Sequence, residues 1–222
     1  MVEIQKDAFW KAGIFTLIVF VLGVLLGLFL DEYRVSKVRE EFSKVEIEWA
    51  DAKIQSIYYQ LMTPSFCEAA IKENLNFANR VYEEGLKIEQ YESANKLAKK
   101  MTIDKQKYAL LKVEFWINSI IIKKKCDANY VNLVYFYLNE PNFNQKIEQD
   151  TQSIILGNLK HKYGADLMLI PLPMDLNISM INIMKDTYNI TVAPTILINE
   201  EIKFDGVTKL EDLEKYLIKN EL

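Results

Sequence analysis

Cysteine and histidine are almost missing: 222 residues hold two cysteines and one histidine. That scarcity excludes a zinc finger, a haem or iron–sulfur centre and a disulfide-dense scaffold, all of which draw on clusters of these residues. Glycine (7) and proline (5) are sparse too, and half of the residues are hydrophobic and 26% charged. This composition excludes a collagenous or disordered chain. There is no excess of positive charge, since 27 Lys+Arg face 31 Asp+Glu for a net charge of −4, which argues against nucleic acid as the partner. No phosphate loop, nucleophile elbow or carboxylate dyad stands in a supporting context. No cofactor is expected.

What is present is unevenly distributed. After a short tail (1–11), residues 12–30 (Ala12 to Leu30) run for 19 positions without a charge. As a helix they would cover roughly 28 Å, close to the hydrocarbon thickness of a bilayer. A cleaved signal peptide would have a shorter apolar core of about 7–15 residues and a small-x-small cleavage site, whereas this run ends in Phe29-Leu30-Asp31-Glu32. An uncleaved single-pass transmembrane helix is the better reading, with Phe9, Trp10 and Tyr33 suited to the interfacial belts. Lys6 and Lys11 precede the run while Arg34, Lys37, Arg39 and Lys44 follow it. A count of flanking positive charges therefore places the C-terminal part inside the cell; the cysteines argue the other way.

Residues 31–62 continue as a helical stalk. Val35, Val38, Phe42, Val45, Trp49, Ala52, Ser56 and Tyr59 recur at spacings of three and four, an a/d seam. The seam could dimerise the protein as a coiled coil, though Arg34 would then face Arg39 and Glu41 would face Glu46, with Glu48–Lys53 the attractive pair. Alternatively it packs on the protein's own later helices, which is the reading preferred here. Thr63-Pro64 breaks the pattern. Segment 63–127 then reads as a helical hairpin, one helix from Ser65 to about Lys100 and a second, capped by Asp104, to about Lys125.

Cys67 and Cys126 bracket this hairpin at its open end. Two unrelated buried thiols would fit, but the matched placement favours a disulfide. Closing a loop of this length stabilises by about 4 kcal/mol in the chain-entropy model. If the bridge forms, the soluble part faces an oxidising, extracytosolic compartment.

From 130 to 222 the pattern changes to alternating strands and helices. Val131–Leu138 is a β-branched and aromatic strand, and Gln145–Tyr163 a helix ending at Gly164. Asp166–Pro171 is a second strand, Ile178–Tyr188 a helix, Thr195–Ile198 and Ile202–Phe204 a hairpin, and Lys209–Asn220 a last helix. The order is β-α-β-α-β-β-α, an α/β domain.

This order, with Val192-Ala193-Pro194-Thr195-Ile196-Leu197 and Phe204-Asp205-Gly206, resembles the thioredoxin-like superfamily over about Tyr130 to Leu222. The resemblance implies a cis bond at Ala193–Pro194 and a groove formed by Val192, Ala193, Pro194 and Thr195, beside Pro141 and Phe143, where an extended peptide pairs with the backbone; the alternative, preferred on the residues alone, is that Pro194 only fixes the turn entering the strand. Together with the apolar run and the bracketed hairpin, the chain is similar to archaeal membrane-bound thioredoxin-like proteins. Redox members carry Cys-x-x-Cys at the start of the helix after the first strand, where the helix N-terminus lowers the thiol pKa. Aligning the helix bodies puts these positions near Lys146 and Gln149, and no cysteine follows Cys126. The usual dithiol exchange is chemically impossible.

The remaining candidates read as structural. His161 lies near a helix C-terminus, a place that suits basic side chains. Lys123-Lys124-Lys125 is a solvated helix end, although it could touch anionic headgroups. Asn177-Ile178-Ser179 and Asn189-Ile190-Thr191 match the N-glycosylation sequon, which matters only outside the cell.

The expectation is a single-pass protein of the cell membrane whose soluble part is extracytosolic. It is not expected to be an enzyme, but a module that holds an unidentified protein or peptide partner at the membrane surface. Two other readings stay open: thiol–disulfide exchange by Cys67 and Cys126, and a coiled-coil scaffold built on a homodimer.

Overall fold

The computed structural model describes residues 2–61, 63–94 and 102–217. The chain divides into two units, Met1–Lys44 and Val45–Leu222. Helix α1 (Val2–Leu61) runs through the first and into the second. Within it Phe9–Leu30 is long and apolar enough to cross a membrane, with a mean hydropathy of 2.8 and none of that window buried. The span begins three residues before the charge-free run because Phe9 and Trp10 extend its apolar surface.

The second unit is built on a helical hairpin and a sheet. Helix α2 (Cys67–Ala94) and helix α3 (Thr102–Cys126) form the hairpin. The helix starts two residues before Asp104, which therefore lies inside it. The end of the first hairpin helix expected near Lys100 lies outside the described residues. Cys67 and Cys126 are bonded to each other, with Cα atoms 5.3 Å apart. The stalk seam ends in this unit: Ala52, Ser56 and Tyr59 are buried, and Asn118 donates to the Ala52 carbonyl at 3.0 Å. Three of its positions are thus taken up by packing within the chain, while Trp49 is more than a third exposed. The side chains of Val35, Val38, Phe42 and Val45 lie outside the described residues.

The sheet has the order β2-β1-β3-β4. Strand β1 (Val131–Tyr137) lies parallel to β2 (Leu167–Pro173), the two being joined by helix α4 (Phe143–Tyr163), as a parallel pair requires. Strand β3 (Thr195–Ile198) is antiparallel to β1, and β4 (Ile202–Asp205) is antiparallel to β3. Pro171 and Pro173 are tolerated because β2 is an edge strand. Helix α5 (Ser179–Thr187) precedes β3, and helix α6 (Leu210–Leu217) closes the described chain.

Side chains alternate across this sheet. Val134, Phe136, Met168, Ile170 and Leu197 pack with Phe77, Phe115, Trp116 and Met184 of α2, α3 and α5. Val131, Leu133, Tyr135, Ile196 and Ile198 face the other way, onto Leu156 and Leu159 of α4 and Leu213 and Leu217 of α6. The hairpin is therefore one wall of the sheet's core. Segments 63–127 and 130–222, read from the sequence as successive regions, fold as one body because neither wall could bury its apolar side alone.

A polar seam fixes the hairpin's position. Trp116 Nε1 donates to Glu200 at 2.6 Å and Asn132 Nδ2 donates to the same oxygen at 3.0 Å. Ser119 donates to Asn132, and Tyr130 donates to the Ser119 carbonyl at 2.7 Å. Lys123 reaches Asn199 at 2.7 Å, although burial pushes its pKa down against the pull of Glu200 and Glu201. Burial likewise pushes the Tyr130 phenol up. At the other end Lys160, itself buried, donates to the carbonyls of Gly164 (2.7 Å) and Leu167 (2.9 Å) and reaches Asn79 of α2 at 3.4 Å.

Candidate functional site

The register brings four connections to one end of the sheet. Phe136 pairs with Thr195, Tyr137 with Pro173, and Thr195 with Asp205. The segments after β1, after β2, before β3 and after β4 therefore meet there. Such an end is where α/β sheets place ligands.

The segment after β1 is held from two sides. The Asp175 carboxylate accepts the backbone N–H groups of Asn139 and Glu140 at 2.7 and 2.9 Å. Gln149, buried about two turns into α4, accepts from Leu138 N at 2.8 Å and donates to the Leu138 carbonyl at 3.1 Å. Helix α4 then starts on a capping box: Asn142 Oδ1 accepts from Gln145 N and Gln145 Oε1 accepts from Asn142 N, both at 3.0 Å. The box satisfies donors that a helix N-terminus leaves open.

Helix α4 thus starts two residues before Gln145, the first residue expected for it. Lys146 and Gln149, the positions expected for the redox motif, lie four and seven residues past the N-cap. The N-cap and the position three residues on are Asn142 and Gln145, reciprocally bonded amides with no sulfur to exchange. The signal was in the sequence, because Asn-x-x-Gln is the amide form of a capping box. Lys146 is exposed and pairs with Asp150 at 3.0 Å. Gln149 instead clamps the exit of β1.

On the facing segment the Ala193–Pro194 peptide is cis. Pro194 is buried, and its carbonyl accepts Gly206 N at 2.8 Å. Gly206 has a φ of 79°, a conformation that favours glycine. Thr195 Oγ1 bonds both the Val192 carbonyl at 2.8 Å and Asp205 at 3.1 Å. The loop is thus pinned on both sides, while Val192 and Ala193 precede the first paired residue of β3. Phe143 (79% exposed), Val192 (46%) and Val207, in the segments that meet at this end of the sheet, are apolar residues that the fold leaves in solvent.

The cysteines are elsewhere. Cys126 ends α3 just before β1 begins, so the disulfide lies toward the opposite end of β1 from the Pro194 loop. Seven strand residues cover about 20 Å. His161 is exposed in the last turn of α4. Among the described residues no group of three or more His, Cys, Asp or Glu is placed to hold a metal ion.

The strand order β2-β1-β3-β4, the helices on both faces and the cis-proline before β3 define an α/β thioredoxin-like domain that follows an apolar helix long enough to span a membrane. No protein-family model matches the chain, and neither does any curated protein sequence. Among solved structures, a malarial protein is similar at 22% identity over 42% of this chain and 98% of its own, with a TM-score of 0.33. Thioredoxin-2, described as a component of malaria parasite protein secretion machinery, is 20% identical over 40% of this chain and 82% of its own (TM-score 0.33). Chloroplastic thioredoxin z is 12% identical over 43% and 81% (TM-score 0.34).

Proposed function

We propose that this chain is a membrane-tethered, non-catalytic thioredoxin-like protein that holds a protein or peptide partner at the outer membrane face. The observation that supports the reading is the pairing of a pinned cis-proline loop with a helix start that carries no thiol. The Val192–Pro194 backbone is pinned by hydrogen bonds, exposed apolar residues lie at the same end of the sheet, and the start of α4 is closed by a capping box that carries no cysteine. An extended segment laid along Val192 and Ala193 gains backbone hydrogen bonds, with Phe143 and Val207 offering apolar contact. The bond between Cys67 and Cys126 supports an oxidising compartment and hence the extracytosolic orientation.

A second reading, thiol–disulfide exchange by Cys67 and Cys126, is favoured by the position of Cys67 at the first residue of α2, where a thiolate gains from the helix N-terminus. Titrating the full-length protein against a dithiol redox buffer separates the two. The structural reading expects a potential below about −300 mV and no turnover in a disulfide-reductase assay. A potential in the range of known exchangers, about −120 to −270 mV, with turnover would overturn it.

A further inference from the structure

Both asparagines of the Asn-Ile-Ser/Thr tripeptides flank α5, Asn177 just before it and Asn189 just after. The two sites share one local build. The asparagine is exposed in a left-handed turn, with φ 54° in both cases. The isoleucine that follows is buried, Ile178 and Ile190 both lying in the core. The hydroxyl residue, Ser179 or Thr191, is exposed again. In each tripeptide, therefore, the acceptor amide and the hydroxyl it requires face solvent while the middle residue anchors the turn. Asparagine is also among the non-glycine residues that tolerate this backbone most readily. Between the sites, on the surface of α5, Ile183 is an exposed apolar residue that two bulky hydrophilic groups would shield.

We infer that Asn177 and Asn189 are a pair of N-glycosylation sites bracketing α5. The donor is an oligosaccharide linked through phosphate to a lipid carrier, and a membrane transferase supplies the catalysis. In the transfer the side-chain amide nitrogen bonds to the anomeric carbon. The carbon–oxygen bond to the lipid phosphate breaks, the phosphate leaves with the electron pair, and the amide proton passes to the transferase. No oxidant or reductant is involved. The inference rests on the extracytosolic orientation proposed above.

The test is peptide mapping by mass spectrometry of the full chain purified from its native membranes. It is paired with digestion of intact cells by a protease that cannot cross the membrane. The expected result is a glycopeptide at each site and a soluble part open to the protease. Ser179→Ala and Thr191→Ala should each remove one of two mobility steps, and the pair should remove both; these variants keep the left-handed asparagines and their turns. Thr191→Ser should retain its step. Unmodified peptides from protease-accessible protein would overturn the inference and leave the orientation standing. Unmodified peptides from protected protein would overturn both.

Discussion

Glu200 holds a φ of 62° between β3 and β4, a conformation unfavourable for a long side chain, and it does so beside Asn199 at φ 50°. The strain, of order 1 kcal/mol, is offset by what the carboxylate does: it accepts from both Trp116 and Asn132 and so ties the hairpin wall to the sheet. Glu200→Ala should destabilise by about 2 kcal/mol, because it leaves two buried donors unpaired. Glu200→Gly should recover about 1 kcal/mol of that loss by relieving the backbone. Urea unfolding of the two variants reads the difference, and equal losses would show that strain is not stored there. Buried phenols give a second test at this scale. Tyr59 is pushed up from 10.0 to about 12, first by burial and then by Glu73 and Asp51. A phenol whose pKa is raised on folding stabilises fully below its unfolded value of 10.0, and that contribution is lost as pH rises through about 12. Lys123 and Lys160 are pushed down by burial and act in the opposite direction, in a window that ends at 10.5. Between pH 10.5 and 12 unfolding free energy should therefore fall, by on the order of 2 kcal/mol from Tyr59. Tyr59→Phe should flatten that fall in urea titrations; an unchanged slope would contradict the assignment.

At the scale of elements, the hairpin closes around Gly85. A Cβ there would stand 2.5 Å from the Tyr108 hydroxyl, which is itself held by the Val81 carbonyl. Gly85→Ala should thus destabilise, although alanine is the better helix former by about 1 kcal/mol. In a Tyr108→Phe background the clash is gone, and the same substitution should turn neutral or stabilising in thermal melts. How well each element could be read from sequence depends on how local its cause is. Val131–Tyr137 announced β1 by composition, and Pro194 announced the entry to β3 through its neighbours. The start of α4 was misplaced because the helix body, apolar at Ile154, Ile155 and Leu159, drew the alignment, while the cap at Asn142 and Gln145 lies outside that pattern. The Trp116–Glu200 contact spans 84 residues and depends on two left-handed turn residues, which no periodicity reports.

For the molecule as a whole, the unit Val45–Leu222 sets two features at opposite ends of its central strand. At one end the Cys67–Cys126 bond clasps the hairpin that forms one wall of the core. At the other, four connections converge on a cis-proline loop with no thiol beside it. That the hairpin is a wall of the sheet could not be read from its own sequence, since an amphipathic stripe such as Ile71, Leu75 and Ala78 names no partner. In the function proposed above, the loop end binds a partner without exchanging thiols. Photo-crosslinking from position 192 in native membranes tests it most directly, with the same probe at exposed Lys124 as the control. The expected result is a discrete adduct from position 192 that survives reduction and is absent from position 124. Identical adducts from both positions, or an adduct released by reducing agent, would contradict it.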